Sequence, residues 1–176
     1  MKNLFLFTFL AFAMVFTTEA TAQKFSGLDS SPMDMAAYPA SYRESDKSVR
    51  ITYSRPQLKG RSLADLAPAG KVWRTGANEA AEITFYKNAT VGGKAIKAGT
   101  YSLFTIPGDD EWTVILNSNL NQWGAYSYDS DADVARVTAK ASTDDEELEA
   151  FSIAFDDDGN MLMGWGTTRV SLPISY

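Results

Sequence analysis

The stretch Phe151-Ser152-Ile153-Ala154-Phe155-Asp156-Asp157-Asp158-Gly159-Asn160-Met161-Leu162-Met163-Gly164-Trp165 decides the fold class. Phe151, Ile153 and Phe155 alternate with Ser152 and Ala154, and Met161, Met163 and Trp165 alternate with Leu162 and Gly164. Successive side chains of a strand point to opposite faces, so a period of two gives each run one apolar face. Between the runs, Asp157-Asp158-Gly159-Asn160 supplies turn residues, with glycine free to take the positive φ of a tight hairpin. The segment therefore reads as a β-hairpin. It does not read as a calcium loop: counted from Asp156, the sixth and twelfth positions are Met161 and Thr167, where an EF-hand needs glycine and glutamate.

The same period extends outward in both directions. Val170, Leu172 and Ile174 alternate with Arg169, Ser171 and Pro173; Val49, Ile51 and Tyr53 alternate with Arg50, Thr52 and Ser54; Ile83 and Phe85 alternate with Glu82, Thr84 and Tyr86. Val91-Gly92-Gly93-Lys94 reads as a second hairpin turn, and Pro107-Gly108-Asp109-Asp110 separates a strand at 101–106 from one at 112–116. Pro173 places the last strand at an edge or near its end, because proline cannot donate to a ladder. About nine strands with short connections predict an all-β antiparallel sandwich, Greek-key or jelly-roll-like, rather than a parallel sheet. The one helix-like stretch, 144–149, is acidic and brief and reads as a turn leading into the Phe151 strand.

At the other end of the chain, Lys2 precedes an apolar run at 4–16 that only Thr8 interrupts, and Ala20 and Ala22 suit a signal peptidase. A run of about 13 residues is short for a permanent membrane helix, so residues 1–22 read as a secretory signal peptide cleaved between Ala22 and Gln23. Removing them leaves 154 of 176 residues: a lead-in at 23–36 and a single sandwich domain at 37–176. The expected location is the periplasm or the exterior, with no membrane insertion after cleavage. The chain has no cysteine and no histidine, so disulfides, thiolate metal sites and triads built on histidine are excluded. A net charge of −6 argues against nucleic acid as a partner. No metal and no cofactor is expected.

One region departs from the alternation. Residues 55–79 show neither strand nor helix periodicity, and long irregular loops inside compact domains are enriched in function. The loop holds Arg55, Lys59, Arg61, Lys71 and Arg74 against Asp65 and Glu79, a net +3 on an acidic chain. Such a loop either docks on its own protein through ion pairs or offers guanidinium groups to an anionic ligand. Arg55, Lys71, Arg74, Asn78 and Glu79 are the candidate binding residues, with Arg55, Arg74 and Asn78 touching the ligand and Glu79 orienting an arginine. The small residues of Thr75-Gly76-Ala77 let backbone approach a ligand or another strand. Glu79 is also the one weak candidate for a catalytic carboxylate. A second cluster at 117–129 sets Asn119, Asn121 and Gln122 beside Trp123, Tyr126 and Tyr128. Rings with amides suit a sugar site and equally suit a sandwich edge; Trp123 and Tyr126 join the candidates.

Tyr53-Ser54-Arg55-Pro56, Lys59-Gly60-Arg61 and the run from Gly70 to Ala80, with Trp73-Arg74-Thr75-Gly76-Ala77-Asn78-Glu79 at its centre, resemble a bacterial domain-of-unknown-function family, DUF2911, common in Bacteroidetes. Ala98-Gly99-Thr100-Tyr101-Ser102-Leu103-Phe104-Thr105-Ile106-Pro107, Gln122-Trp123-Gly124-Ala125-Tyr126 and Thr167-Thr168-Arg169-Val170-Ser171-Leu172-Pro173-Ile174 are similar to further signatures of it. The resemblance implies export in Gram-negative bacteria and supplies no catalytic residues. Ala64-Asp65 and Ala69 stand where the family pattern more usually has a Phe-Gly pair and an aromatic, which implies a wider pocket if those aromatics wall one. The reading that results is an exported β-sandwich, leaning non-enzymatic, that binds a small polar or anionic molecule or a partner protein. The alternatives are a glycan-active hydrolase using paired carboxylates, and a structural or assembly module of the cell envelope.

Overall fold

Strands form where the alternation is strictest, and the computed structural model describes them over residues 24–176. The signal-peptide reading of 1–22 and the cleavage point before Gln23 lie outside the described residues. Ten strands follow one another: β1 Met33–Tyr38, β2 Val49–Ser54, β3 Ala81–Phe85, β4 Ala89–Val91, β5 Lys94–Ile96, β6 Gly99–Ile106, β7 Glu111–Asn117, β8 Asp133–Phe155, β9 Met161–Leu172 and β10 Ile174–Ser175. A single short helix, α1 at Leu63–Leu66, interrupts the long loop. Ser62 and Asp65 form a capping box at its start, each side chain bonding the other's backbone N–H.

The fold is antiparallel all-β, as the sequence predicts. Seven strands form one sheet in the order β1-β2-β3-β6-β7-β8-β9, and β10-β4-β5 form a second. The order is an up-and-down meander with the β4–β5 hairpin as its excursion, in place of the expected Greek-key or jelly-roll winding. The large sheet curls until β1 lies beside β8. Sequential strands tend to pair side by side, and short turns join β6 to β7 and β8 to β9, whereas long segments link β2 to β3 and β7 to β8.

One face of the large sheet carries the core. Val49, Ile51, Ile83, Phe85, Leu103, Val114, Leu116, Val137, Ala139, Met161, Met163 and Trp165 are all buried there. The small sheet closes over them with Ala89, Val91, Ile96 and Ile174, and the long loop adds Leu58, Ala67 and Trp73. Trp73 stacks on Trp165 with centroids 5.6 Å apart and meets Phe151 edge-on at 5.0 Å. Gly92 explains how near the small sheet comes. Its φ is +53°, and a Cβ there would sit 2.8 Å from the Cβ of Val137, so only glycine serves at the β4–β5 turn.

Two local expectations are corrected. The aperiodic lead-in does not run to residue 36, because β1 begins at Met33 and pairs with β2 from Met33↔Ser54 to Tyr38↔Val49. β1 is an edge strand with no alternating buried face, so ladder hydrogen bonds hold it and sequence periodicity does not reveal it. Residues 144–149 form neither helix nor turn. They stay within β8 as an exposed arch bracketed by register shifts at Thr143/Leu148 and Leu148/Ser152. Arg169 fastens the arch, with Nε 3.5 Å from Asp144 Oδ2 and guanidinium bonds to the carbonyls of Gly166, Thr168 and Glu146.

Candidate functional site

The opposite face of the large sheet carries the site. Cross-strand register puts Met35, Thr52, Glu82, Ser102 and Asn117 in one row across β1, β2, β3, β6 and β7. Two loop segments cover part of this face. The stretch 72–80 and the stretch 118–132 enclose a small second core of Ala80, Phe104 and Ile115, with Val72, Ile106, Ala125 and Tyr128 packed around it. Apolar residues on both faces of β6 and β7 are the reason these central strands accept a cover on each side.

The two segments are tied to each other by backbone. Ala80 N donates to Gln122 O at 2.8 Å, Gly124 N donates to Asn78 O at 2.9 Å, and Glu79 bridges Trp123 in antiparallel fashion. Polar side chains fix the second segment to the sheet. Ser102 Oγ donates to Asn119 O at 2.7 Å, and Asn117 Nδ2 donates to Asp129 O and Asp133 Oδ1, both at 2.8 Å. Asp133 Oδ2 accepts from Tyr128 Oη and from Arg136 Nε, each at 2.6 Å, and Arg136 donates a further bond to Tyr128 Oη at 2.6 Å. Burial, with the Asp133 carboxylate beside it, pushes the Tyr128 phenol up to about 12.

Where the cover stops, a cleft of about 510 Å³ opens. Met33, Thr52, Glu79, Ala80, Glu82, Asn121 and Trp123 line it. Asn121 N donates to Glu82 Oε1 at 2.9 Å, which fixes one carboxylate at the floor. Trp123 is 62% exposed and Met33 61%, whereas Trp73, Trp112 and Trp165 are buried. The indole is thus an open apolar plate held by backbone bonds, with a hydroxyl, a main-chain-anchored carboxylate and a second carboxylate around it. Among the described residues no group of three or more His, Cys, Asp or Glu stands where it could hold a metal ion.

Of the seven residues expected to bind, the cleft unites Glu79 and Trp123. Arg55 is engaged by its own protein: Nε donates to Phe151 O at 3.0 Å, Nη1 to Asp34 Oδ2 at 3.0 Å and Nη2 to Ser152 Oγ at 2.7 Å. Lys71 is exposed in a turn and does not line the cleft. Arg74 is half-buried, its Nε buried without a hydrogen-bond partner. Glu79 does not orient it, since the ion pairs among the described residues are Arg55–Asp34, Arg136–Asp133 and Arg169–Asp144. Asn78 serves through its backbone, with φ at +61° and its carbonyl bonded to Gly124. Tyr126 is 87% exposed and stands outside the cleft.

The basic loop therefore spreads its charge over several places. Arg61, for example, donates to the carbonyls of Leu58 and Gln57. The glycine at 76 is explained by a strand and not by a ligand: a Cβ there would lie 3.0 Å from Ser54 O in β2. The alanines at 64 and 69 line a separate hollow of about 250 Å³ beside Trp112. Sequence reasoning misses Glu82 and Thr52, because a polar residue on the outer face of a strand is ordinarily a solvated one, and it misses Met33, because that residue falls in the stretch read as a lead-in. The available signal was Glu82 lying three residues after Glu79, on the face opposite Ile83.

Comparison with curated proteins and with solved structures gives no match. A family model described as "Protein of unknown function (DUF2911)" matches residues 31–174, and the chain belongs to that family.

Proposed function

We propose that this chain is an exported, non-enzymatic binding protein that holds a small polar ligand in the cleft between Trp123 and the Glu79 and Glu82 carboxylates. The observation that carries the reading is the exposed Trp123, fixed opposite Glu79 by backbone pairing rather than left on a free tip. An indole plate with hydrogen-bonding groups at its rim suits a ligand that has one apolar face and several polar edges. The lining contains two carboxylates and no basic residue, so the reading takes a polar ligand and not an anionic one. Export rests on the leader-like residues 1–22.

A thermal-shift screen of sugars, amino acids and small amines tests it. A ligand that binds only the folded chain must raise the apparent Tm. The expected result is a shift that Trp123→Ala abolishes while leaving the unliganded Tm nearly unchanged. The reading fails if no compound shifts the wild-type chain, or if the shift survives Trp123→Ala.

Glu79 and Glu82 in one cleft also favour a second reading, glycoside hydrolysis by a carboxylate pair. Release of aryl alcohol from aryl glycosides, lost in both Glu79→Gln and Glu82→Gln, would establish it. No release by the wild-type chain would remove it.

A further inference from the structure

The charge of the cleft points to the chemistry of its ligand. Glu79 and Glu82 both line it, and neither takes part in an ion pair among the described residues. Glu82 Oε1 accepts one backbone N–H from Asn121, and the Glu79 carboxylate has no hydrogen-bond donor among the described residues. Two basic residues stand near this face without lining the cleft: Arg50, exposed and opposite Thr84, and the half-buried Arg74, whose carbonyl accepts from Ala81 N; neither forms an ion pair with Glu79 or Glu82. Two carboxylates thus flank an open indole face with no protein cation between them.

Such a site recognises positive charge in two ways at once. The carboxylates attract it directly, and the face of a tryptophan ring, where its quadrupole is negative, attracts it as well. The chain's net charge of −6 adds a long-range field of the same sense. A bare metal ion is not the occupant this lining suits, because two carboxylates without a third acidic or imidazole ligand leave a divalent cation poorly held, and Trp123 and Met33 offer it nothing. A volume of about 510 Å³ with an apolar wall suits an organic body carrying an ammonium group.

We infer that the cleft selects organic cations: an amine or quaternary ammonium group sits between Glu79 and Glu82 while the ligand body rests on Trp123. This rests on the proposed binding role of the cleft and adds the charge of the ligand to it.

The test compares molecules that share a body and differ in charge. Glucosamine, N-acetylglucosamine and glucuronate form one series, and benzylamine, benzyl alcohol and benzoate another. Each is titrated into ¹⁵N-labelled protein while the indole Nε1–H resonance of Trp123, assigned with Trp123→Phe, is followed. The cationic member of at least one series should bind about tenfold more tightly than its neutral counterpart, the joint effect of two partly exposed ion pairs and one cation–π contact. Raising salt from about 50 mM to about 0.5 M should erase most of that advantage. Glu79→Gln with Glu82→Gln should erase the advantage of the cationic member over its neutral counterpart while the rest of the ¹⁵N spectrum keeps its folded dispersion, which separates lost charge from lost fold. Neutral or anionic members binding as well as the cationic ones would overturn the inference and leave the binding role intact. If none of the six perturbs Trp123, the binding role falls with it.

Discussion

Arg55→Ala is the substitution on which the division between scaffold and site turns. Arg55 follows β2 directly, and its guanidinium reaches Asp34 on β1 and both Phe151 O and Ser152 Oγ on β8. It therefore closes the seam where the curled sheet brings its first strand against β8. The bonds to Phe151 O and Ser152 Oγ contribute about 1 kcal/mol each by the usual net value. The Asp34 pair adds little, since its two side chains are 36% and 43% exposed, and such pairs contribute about 0–1 kcal/mol. Arg55→Ala should cost about 2 kcal/mol in all, a Tm loss of about 4–8 °C for a chain of this length. Urea denaturation followed by tryptophan fluorescence measures it, because Phe151 packs against Trp73 and Trp165. A double-mutant cycle with Asp34→Ala should show a coupling under about 1 kcal/mol. The reasoning is refuted if Arg55→Ala keeps the wild-type midpoint and instead loses a ligand, which would make the guanidinium a binding group.

Three further outcomes follow from the geometry. Gly92→Ala should cost about 3 kcal/mol, combining a left-handed backbone with a Cβ driven into Val137, whereas Gly93→Ala, also at positive φ but facing open space, should cost about 1 kcal/mol; equal losses in paired denaturation curves would show that the Val137 contact is irrelevant. Trp123→Ala should change stability by less than about 0.5 kcal/mol and Trp165→Ala by about 3–5 kcal/mol, because one ring is largely in water and the other fully enclosed; a large loss at Trp123 would mean that the indole is a structural plug. Tyr128 has a folded-state pKa above its unfolded value, so the stability it contributes is complete below about pH 10 and disappears as pH climbs towards 12; burial raises Tyr53 and Tyr176 as well, so tyrosinate absorbance should show several late-titrating groups, and Tyr128→Phe should remove one of them and lessen the alkaline loss of stability.

The sequence made the strands legible wherever one face is buried and the other wet. The hairpin at 151–165 turns where its acids and glycine indicate, with β8 ending at Phe155 and β9 starting at Met161. It hid β1, whose pairing is carried by backbone bonds and none of whose side chains is fully buried. It also hid the extended arch at 144–147, since an acidic run says nothing about an arginine, Arg169, arriving from the neighbouring strand to pin it. The candidate site was legible in part for the same reason. Glu79 and Trp123 stand out locally as an acid at a turn and an aromatic among amides. Glu82 and Thr52 become neighbours only through cross-strand register.

The amino-acid sequence by itself determined an antiparallel β protein without thiol or imidazole chemistry, because strand periodicity and residue absence are properties of the chain read one residue after another. Which charges meet was decided only by the tertiary structure. Read as a string, the basic loop suited an anion grip as well as docking on its own protein; folding sends Arg55 to Asp34 and β8, and Arg61 to nearby carbonyls. The same folding brings Glu79, Glu82, Asn121 and Trp123 to one cleft from segments about 40 residues apart. Electrostatic and hydrogen-bond energies fall off over a few ångströms, so the sign of a binding site is fixed by register and loop packing and not by the net charge of the segment that carries it.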